Sequence, residues 1–191
     1  MAIIALGVAF VTCAGGGAAL AGAKAKPGHT VAQSKLLWST INVCDTVDHP
    51  DAIGVRASMP GSGVADEEMF MRFQVQYFNS KTGEWSSLVK GGDSGWVDVG
   101  SAKFKARETG REFVFAPPAG RSYELRGLVS FEWREGGQVV RRAKKRTTGK
   151  HRSAAGSDPA GFSAATCEIA PPDTTTPPTT TTPTTPTTTT P

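Results

Sequence analysis

The chain has 191 residues and a formal net charge of +4, from 21 Lys and Arg against 17 Asp and Glu. Residues 1–23 hold no charged side chain, and residues 171–191 consist of 13 Thr, 7 Pro and one Asp, so neither end has the composition of a folded domain. The remaining residues, 36–170, suffice for one hydrophobic core, which excludes a multidomain enzyme, a polytopic membrane protein and a wholly disordered chain.

The N-terminal segment has the pattern of a cleaved secretory signal. An apolar run over residues 3–12 is followed by small residues and by an A-x-A cleavage site that ends at Ala23. The run is shorter than the roughly 20 apolar residues that a membrane-spanning helix needs. We therefore predict a signal peptide over residues 1–23 and a linker over residues 24–35. The alternative is a bacterial lipoprotein signal that acylates Cys13, but Thr12 stands where that signal has a very small residue.

The C-terminal segment, residues 171–191, is predicted to form a disordered Thr/Pro-rich stalk. Proline favours extended conformations, and the segment has no apolar area to bury against the entropy of ordering. Its threonines are either O-glycan acceptors or unmodified, and the sequence leaves both alternatives open. Together with the N-terminal signal, this tail predicts a bacterial protein that is secreted or held at the cell surface, with no transmembrane helix in the mature chain.

Between the two ends, polar and apolar residues alternate with a period of two, which is typical of half-buried strands. Leu128 is the single apolar residue on the otherwise polar face of its strand, and Gly136-Gly137 forms a two-residue hairpin turn. We assign Trp85, Trp96 and Trp133 to the core, with at most one of them as an exposed contact residue. The predicted strands cover residues 36–43, 52–58, 69–77, 84–89, 96–99, 102–106, 112–115, 123–134 and 138–148.

Short strands divided by Gly, Pro, Asn and Asp turns predict an all-β antiparallel sandwich or, as the alternative, a barrel or jelly roll. Residues 116–126 read APPAGRSYELR, a Pro/Gly corner before a strand that opens with Tyr123 and turns Leu125 inward. This pattern resembles the fibronectin type III and immunoglobulin-like families over residues 40–150. The resemblance implies a single β-sandwich in which the hydroxyl of Tyr123 bonds back to the corner. The antibody-type Cys-Trp-Cys arrangement is not present in this sequence.

Cysteine usage agrees with export. If the signal is removed, Cys44 and Cys167 remain, near the two ends of the domain. In an oxidising compartment the pair predicts a disulfide, with two independent buried thiols as the alternative.

The string Gly92-Asp93-Ser94-Gly95 resembles the nucleophile loop of trypsin-like serine proteases. That chemistry also needs a histidine base and a buried aspartate. Here Trp96 stands where the family has a second glycine, and His49 lacks the family's flanking residues. Glycines around Asp and Ser are ordinary turn residues, so a loop between strands is favoured over a hydrolase that uses Ser94.

A compact acidic cluster surrounds Cys44 and contains Asp45, Asp48, His49 and Asp51. Oxygen ligands at this density can hold calcium, but no Asp-x-Asp-x-Asp-Gly loop is present. A polar turn at the end of a strand explains the cluster equally well. We therefore predict no metal site, no cofactor and no catalytic residues.

The most asymmetric feature is the basic stretch, residues 134–152, which holds eight Lys and Arg against Glu135, whereas residues 38–70 hold six Asp and Glu against Arg56. Such a surface can attract a polyanion, or the cations simply protect a sheet edge from aggregation. Aromatic residues do not interleave with this stretch, which disfavours base stacking and sequence-specific nucleic-acid binding. The candidate polyanion-binding residues are Arg141, Arg142, Lys144, Lys145 and Arg146.

These observations predict an exported, non-enzymatic β-sandwich module with a structural, adhesive or ligand-binding role at the cell envelope or outside the cell. Its partner would be a protein or a cell-envelope polymer. The alternative function is polyanion binding through the basic stretch. A serine hydrolase is the least favoured hypothesis.

Overall fold

The computed structural model describes residues 33–171, which form nine β-strands and no α-helix. The predicted signal peptide with Cys13, most of the predicted linker and all but the first residue of the predicted stalk lie outside these residues. Within the described part of the chain, no helix is long and apolar enough to cross a membrane. The strands are β1 (Trp38–Cys44), β2 (Ala52–Pro60), β3 (Glu67–Asn79), β4 (Glu84–Ser87), β5 (Asp93–Ser101), β6 (Ala106–Val114), β7 (Tyr123–Glu135), β8 (Gln138–Arg146) and β9 (Cys167–Ile169).

The strands form two sheets, and all strand pairings are antiparallel. The smaller sheet has the order β1-β2-β6. In the larger sheet, β3 and β7 pair over eleven residue positions and form the centre. β4 and β5 pair with successive parts of β3, and β8 and β9 pair with successive parts of β7. The predicted all-β antiparallel sandwich is confirmed.

The core lies between the sheets, where the predicted alternation places it. Met69, Met71, Phe73 and Val75 of β3 are fully buried, and so are the facing residues of β7 up to Trp133. The indole N–H of Trp133 donates to the carbonyl of Pro60 at 3.0 Å, so this buried polar group is satisfied. Gly127 lies on the same inner face, where a Cβ would come within 2.8 Å of Val55 in the smaller sheet. A glycine is therefore needed for the two sheets to approach at this point.

Three parts of the strand prediction are wrong. Residues 102–105 form a turn, and β6 begins at Ala106 and continues to Val114. β6 is an edge strand on which most residues are exposed or half-buried, so its sequence lacks the alternation of a strand with one buried face. β9 was not predicted, because three residues are too few to show an alternation of buried and exposed side chains, and the strand is defined by its pairing with β7.

The predicted disulfide between Cys44 and Cys167 is confirmed, with a Cα–Cα distance of 5.5 Å. It joins β1 of the smaller sheet to β9 of the larger sheet, across the sandwich. The segment between β8 and β9 lies along the free edge of β1, where Ile41 exchanges backbone hydrogen bonds with Ala164. The side-chain amide of Asn42 also donates to the carbonyl of Gly156 at 2.6 Å. These contacts close an edge that would otherwise be open to another strand.

Candidate ligand-binding face

The outer face, defined here as the solvent-facing side of the larger sheet, combines cations with aromatic rings. Its side chains alternate with the core residues of β3 and β7, because neighbouring residues of a strand point to opposite sides. The ladder places Arg72 of β3 between Trp96 of β5 and Ser130 of β7, and Ser130 opposite Lys144 of β8. Phe70, Gln74, Gln76, Arg126, Glu132, Arg134, Arg142 and Arg146 belong to the same face.

A β-bulge at Ser94 and Gly95 turns Trp96 to the outer face. Arg72 pairs with Trp96 and Gln74 pairs with Asp93, so two residues of β5 oppose the single residue Phe73. Gly95 has a φ of +65°, which suits a residue without a Cβ. The extra residue reverses the alternation, and Trp96 is 39% exposed instead of buried. The core assignment of Trp96 is therefore wrong, although a glycine inside a strand pattern was a signal for a bulge.

The outer face contains a groove of about 490 Å³, a volume within the range of about 300–1,000 Å³ that is typical of ligand pockets. Trp96 lies on one side, and Arg142 and Lys144 of β8 lie on the other. Since neighbouring strands are about 4.8 Å apart, the groove is about 14 Å wide between β5 and β8. The aromatic, polar and cationic side chains that line the groove include those of Trp96, Arg72, Gln74, Ser130, Arg142 and Lys144.

A buried carboxylate anchors the cationic side of the groove. Glu132 is 6% exposed and accepts hydrogen bonds from Nη2 of Arg134 at 2.6 Å and from Nε of Arg142 at 2.9 Å. Burial alone would raise the pKa of Glu132, but the hydrogen bonds from the two arginines outweigh burial, and the pKa lies below its usual value. Arg142 contacts Glu132 through Nε, and 71% of its side chain is exposed. The end of its guanidinium group therefore faces the groove and solvent.

The opposite side of the groove contains a second ion pair. Asp93 accepts hydrogen bonds from Nε of Arg72 at 2.8 Å and from the backbone N–H of Gly95 at 2.9 Å. The pKa of Asp93 is lowered, chiefly by the hydrogen bond from Arg72. This pair fixes the guanidinium group of Arg72 beside the Ser94 bulge, where Trp96 begins to project outward.

Arginines cover two further aromatic rings of the outer face. The guanidinium carbon of Arg134 lies 4.1 Å from the ring centre of Phe70 and 5.2 Å from that of Trp96. The guanidinium carbon of Arg126 lies 4.2 Å from the ring centre of Trp85. Burial lowers the pKa of Arg126, and the nearby charge of Arg146 lowers it further. Aromatic residues that are distant from the basic stretch in sequence therefore lie beside it in the sheet.

The remaining tryptophans divide between core and surface. Trp133 is fully buried, as predicted. Trp85 is half-buried and contacts Phe78 on the outer face, with 5.4 Å between ring centres, so its assignment to the core is wrong.

The structure divides the five candidate polyanion-binding residues between two sides of β8. Arg142, Lys144 and Arg146 are exposed on the outer face. Arg141 and Lys145 oppose core residues of β7, and Arg141 forms an ion pair with the buried carboxylate of Glu67. The alternation of β8 thus separates three outward cations from two that lie against the sandwich.

The side chain of Ser94 forms hydrogen bonds to backbone groups at the bulge. Its hydroxyl accepts a hydrogen bond from the N–H of Phe73 at 2.9 Å and donates to the carbonyl of Gly95 at 2.7 Å. The two histidines between residues 33 and 171 contact other groups, because His49 pairs with Glu112 at 2.8 Å and His151 stacks on Trp38. The structure does not bring a histidine to Ser94 within this part of the chain.

The acidic cluster near Cys44 forms a turn. The carboxylate of Asp45 accepts the backbone N–H of Asp51 at 2.8 Å and closes the loop between β1 and β2. Among the described residues, no group of three or more His, Cys, Asp or Glu side chains has an arrangement that could hold a metal ion.

Tyr123 begins β7, where its backbone pairs with Ile169 of β9. Its ring is half-buried and packs against the core. The hydrogen bonds found among residues 33–171 do not include one from its hydroxyl to the corner.

Comparison with known proteins identifies no family for this chain. No family model matches it, and neither does any curated protein. Among solved structures, a glycosyl hydrolase family 2 member from Bacteroides cellulosilyticus DSM 14838 has 11% sequence identity and a TM-score of 0.32. The similarity covers 60% of this chain and 15% of that chain, so the chain spans less than a sixth of the length of that protein. At this TM-score the likeness carries no conclusion about function.

Proposed function

We propose that the chain is an exported, non-enzymatic β-sandwich module that binds a ligand of the cell envelope or the extracellular medium through its outer face. The observation that carries the proposal is the groove between Trp96 and Lys144, which combines an exposed indole ring with outward cations. Recognition surfaces often combine an exposed tryptophan with hydrogen-bond donors that have no acceptor within the protein. The indole ring is largely apolar, so its exposure to water is unfavourable.

The strand order supports assignment to the immunoglobulin-like and fibronectin type III class of sandwiches. In that class, strands A, B and E form one sheet and strands C, F and G belong to the other. β1, β2 and β6 occupy the first set of positions, and β3, β7 and β8 occupy the second. Tyr123 then lies at the start of strand F, where the tyrosine corner of these families occurs.

Two features support export and a binding role rather than catalysis. The Cys44–Cys167 disulfide suits an oxidising compartment, in agreement with the signal pattern of residues 1–23. Ser94, the one residue in a nucleophile-like sequence, uses its hydroxyl to complete the bulge. A serine hydrolase would need a histidine base within hydrogen-bond reach of this hydroxyl.

The proposal is tested by sedimentation of the secreted protein with cell envelopes of the source organism. We expect Trp96→Ala to reduce the bound fraction about tenfold, because the indole ring supplies the apolar part of the contact. The matched control is Phe104→Ala, which removes another exposed ring, 47% accessible, from the turn between β5 and β6. Equal binding of the Trp96→Ala variant and the unchanged protein would overturn the outer face as the binding surface.

A further inference from the structure

We infer that the ligand of the outer face is an acidic polysaccharide, one whose sugar rings carry carboxylate or sulfate groups. The inference rests on the proposed binding role of this face and adds the chemical class of the ligand. It depends on three features of the groove: one accessible ring, a polar floor and a cationic wall.

The accessible ring is that of Trp96. The sheet has three other aromatic side chains on this face, but Arg134 covers Phe70, and Trp85 lies between Phe78 and Arg126. Trp96 lines the groove and is 39% exposed, although the guanidinium carbon of Arg134 lies 5.2 Å from its ring centre. A flat apolar ring matches the C–H face of a pyranose, which is also flat and apolar.

The floor of the groove supplies hydrogen-bonding groups. Gln74 and Ser130 line it. The amide of Gln74 donates to Asp93 at 3.1 Å, which leaves its carbonyl oxygen as an acceptor. Donors and acceptors in one surface suit the hydroxyl groups of a sugar, each of which can both donate and accept.

The cationic wall lies on β8. The guanidinium group of Arg142 is held through Nε by Glu132, and its terminal nitrogens remain exposed in the geometry that binds a carboxylate or sulfate through two hydrogen bonds. Lys144 and Arg146 continue the wall along the strand, and neither forms an ion pair within residues 33–171. The cationic side chains recur at every second residue of β8, about 6.8 Å apart, and so form a row that can contact successive charges of an anionic polymer.

Other anionic ligands fit these features less well. Single-stranded nucleic acid is held by successive bases stacked on several aromatic rings, whereas this face leaves one ring open. An acidic peptide would need an apolar pocket for an anchoring side chain. Beside Trp96, the apolar residues that line the groove are the fully buried Phe131 and the small Ala143, and the other lining residues are polar or charged.

The test measures the dissociation constants of the secreted protein for heparin, polygalacturonate, neutral dextran and oligo-deoxythymidine by calorimetry. We expect binding to at least one of the two acidic glycans, weakening as salt is added, and no binding to dextran. Heparin and polygalacturonate together distinguish sulfate from carboxylate as the recognised group. Tighter binding of oligo-deoxythymidine than of either glycan, or equal binding of dextran, overturns the inference.

Two variants and a matched control locate the site. Trp96→Ala and Lys144→Glu should each weaken glycan binding about tenfold, whereas Trp96→Phe should retain most of it. The control is Arg152→Glu, which makes the same change of charge within the basic stretch but lies beside Gly161, next to the edge of β1. Equal losses for Lys144→Glu and Arg152→Glu would show attraction by net charge alone and overturn the groove as the site.

The outcomes also separate this inference from the proposed function. If envelope binding depends on Trp96 and Lys144 but neither acidic glycan binds, the ligand class is wrong and the binding face stands. If envelope binding does not depend on them, the proposed function fails with the inference. All variants are at exposed positions, and their unfolding temperatures should match that of the unchanged protein.

Discussion

Ser94 illustrates how a motif-like residue can have a purely structural use. At the bulge, the N–H of Phe73 has no backbone acceptor opposite it in β5, and the hydroxyl of Ser94 takes that place at 2.9 Å. Phe73 is fully buried, so water cannot replace the lost partner. The same bulge turns Trp96 outward, which links the hydroxyl of Ser94 to the shape of the groove.

We predict that Ser94→Ala lowers the free energy of unfolding by about 1–3 kcal/mol, the cost of a buried N–H without an acceptor. Urea unfolding of the unchanged protein and the variant measures this directly. Ser94→Thr keeps a hydroxyl and should recover part of the loss. A hydrolase would behave differently, since Ser94→Ala would abolish an esterase or peptidase activity of the unchanged protein while leaving its stability intact.

At the scale of strands, the alternation of polar and apolar residues was sufficient to predict the two central strands, β3 and β7. β3 and β7 each bury one face against the other sheet, so their apolar residues recur at every second position from Met69 to Val75 and from Leu125 to Trp133. Edge strands carry no such constraint, which is why β6 was placed six residues too late. Three-residue β9 is defined by its pairing with β7 and by the disulfide, and both are long-range contacts.

The site was less predictable than the fold. The cations of β8 were identified from sequence, but their division into outward and inward residues depends on register, which a shift between Trp133 and Arg134 changes by one residue. Trp96 was assigned to the wrong face for the same kind of reason. Single extra residues in strands therefore decided which side chains form the groove.

The disulfide is the element-scale feature with the largest expected effect on stability. It closes a loop with a sequence separation of 123 residues and connects the two sheets through β1 and β9. The chain-entropy model assigns a loop of this length about 4–5 kcal/mol, because the linked unfolded chain has less conformational freedom.

We predict that the double variant Cys44→Ser, Cys167→Ser has a free energy of unfolding lower by up to about 4–5 kcal/mol. Guanidinium unfolding of the variant, beside the oxidised and reduced forms of the unchanged protein, measures the effect. The reduced protein and the variant should agree, since both lack the cross-link. A variant as stable as the oxidised protein would show that the disulfide does not stabilise the fold.

At the scale of the whole molecule, the charge asymmetry of the sequence is partly cancelled by folding. The acidic region of residues 38–70 and the basic stretch of residues 134–152 meet where β3 pairs with β7 and β8 lies beside them. Glu67 pairs with Arg141, and Glu68 stands opposite Arg134 in the ladder. Of the basic stretch, Lys144 and Arg146 form no ion pair within residues 33–171, and both lie on the outer face.

The same distribution makes the fold sensitive to acid. Burial against Trp38 lowers the pKa of His151 from the ordinary 6.5, so the unfolded chain binds a proton at this site more readily than the folded chain. The pKa values of Glu132 and Asp93 lie below the ordinary 4.5 and 3.8, because arginine partners stabilise their ionised forms. In all three cases the unfolded state takes up protons first as the pH falls.

We therefore predict that the free energy of unfolding decreases in two stages on acidification. The contribution of His151 is complete above about pH 6.5 and is lost as the pH falls through its lowered folded pKa, while those of Glu132 and Asp93 are complete above about pH 4.5 and are lost below it. Urea unfolding measured from pH 8 to pH 3 should resolve both stages. His151→Phe keeps the stacking on Trp38 and should remove the upper stage only, whereas Asp93→Asn should diminish the lower stage only. If the upper stage has the same size in His151→Phe, another group takes up the proton, and the stability of the sandwich does not depend on the protonation of His151.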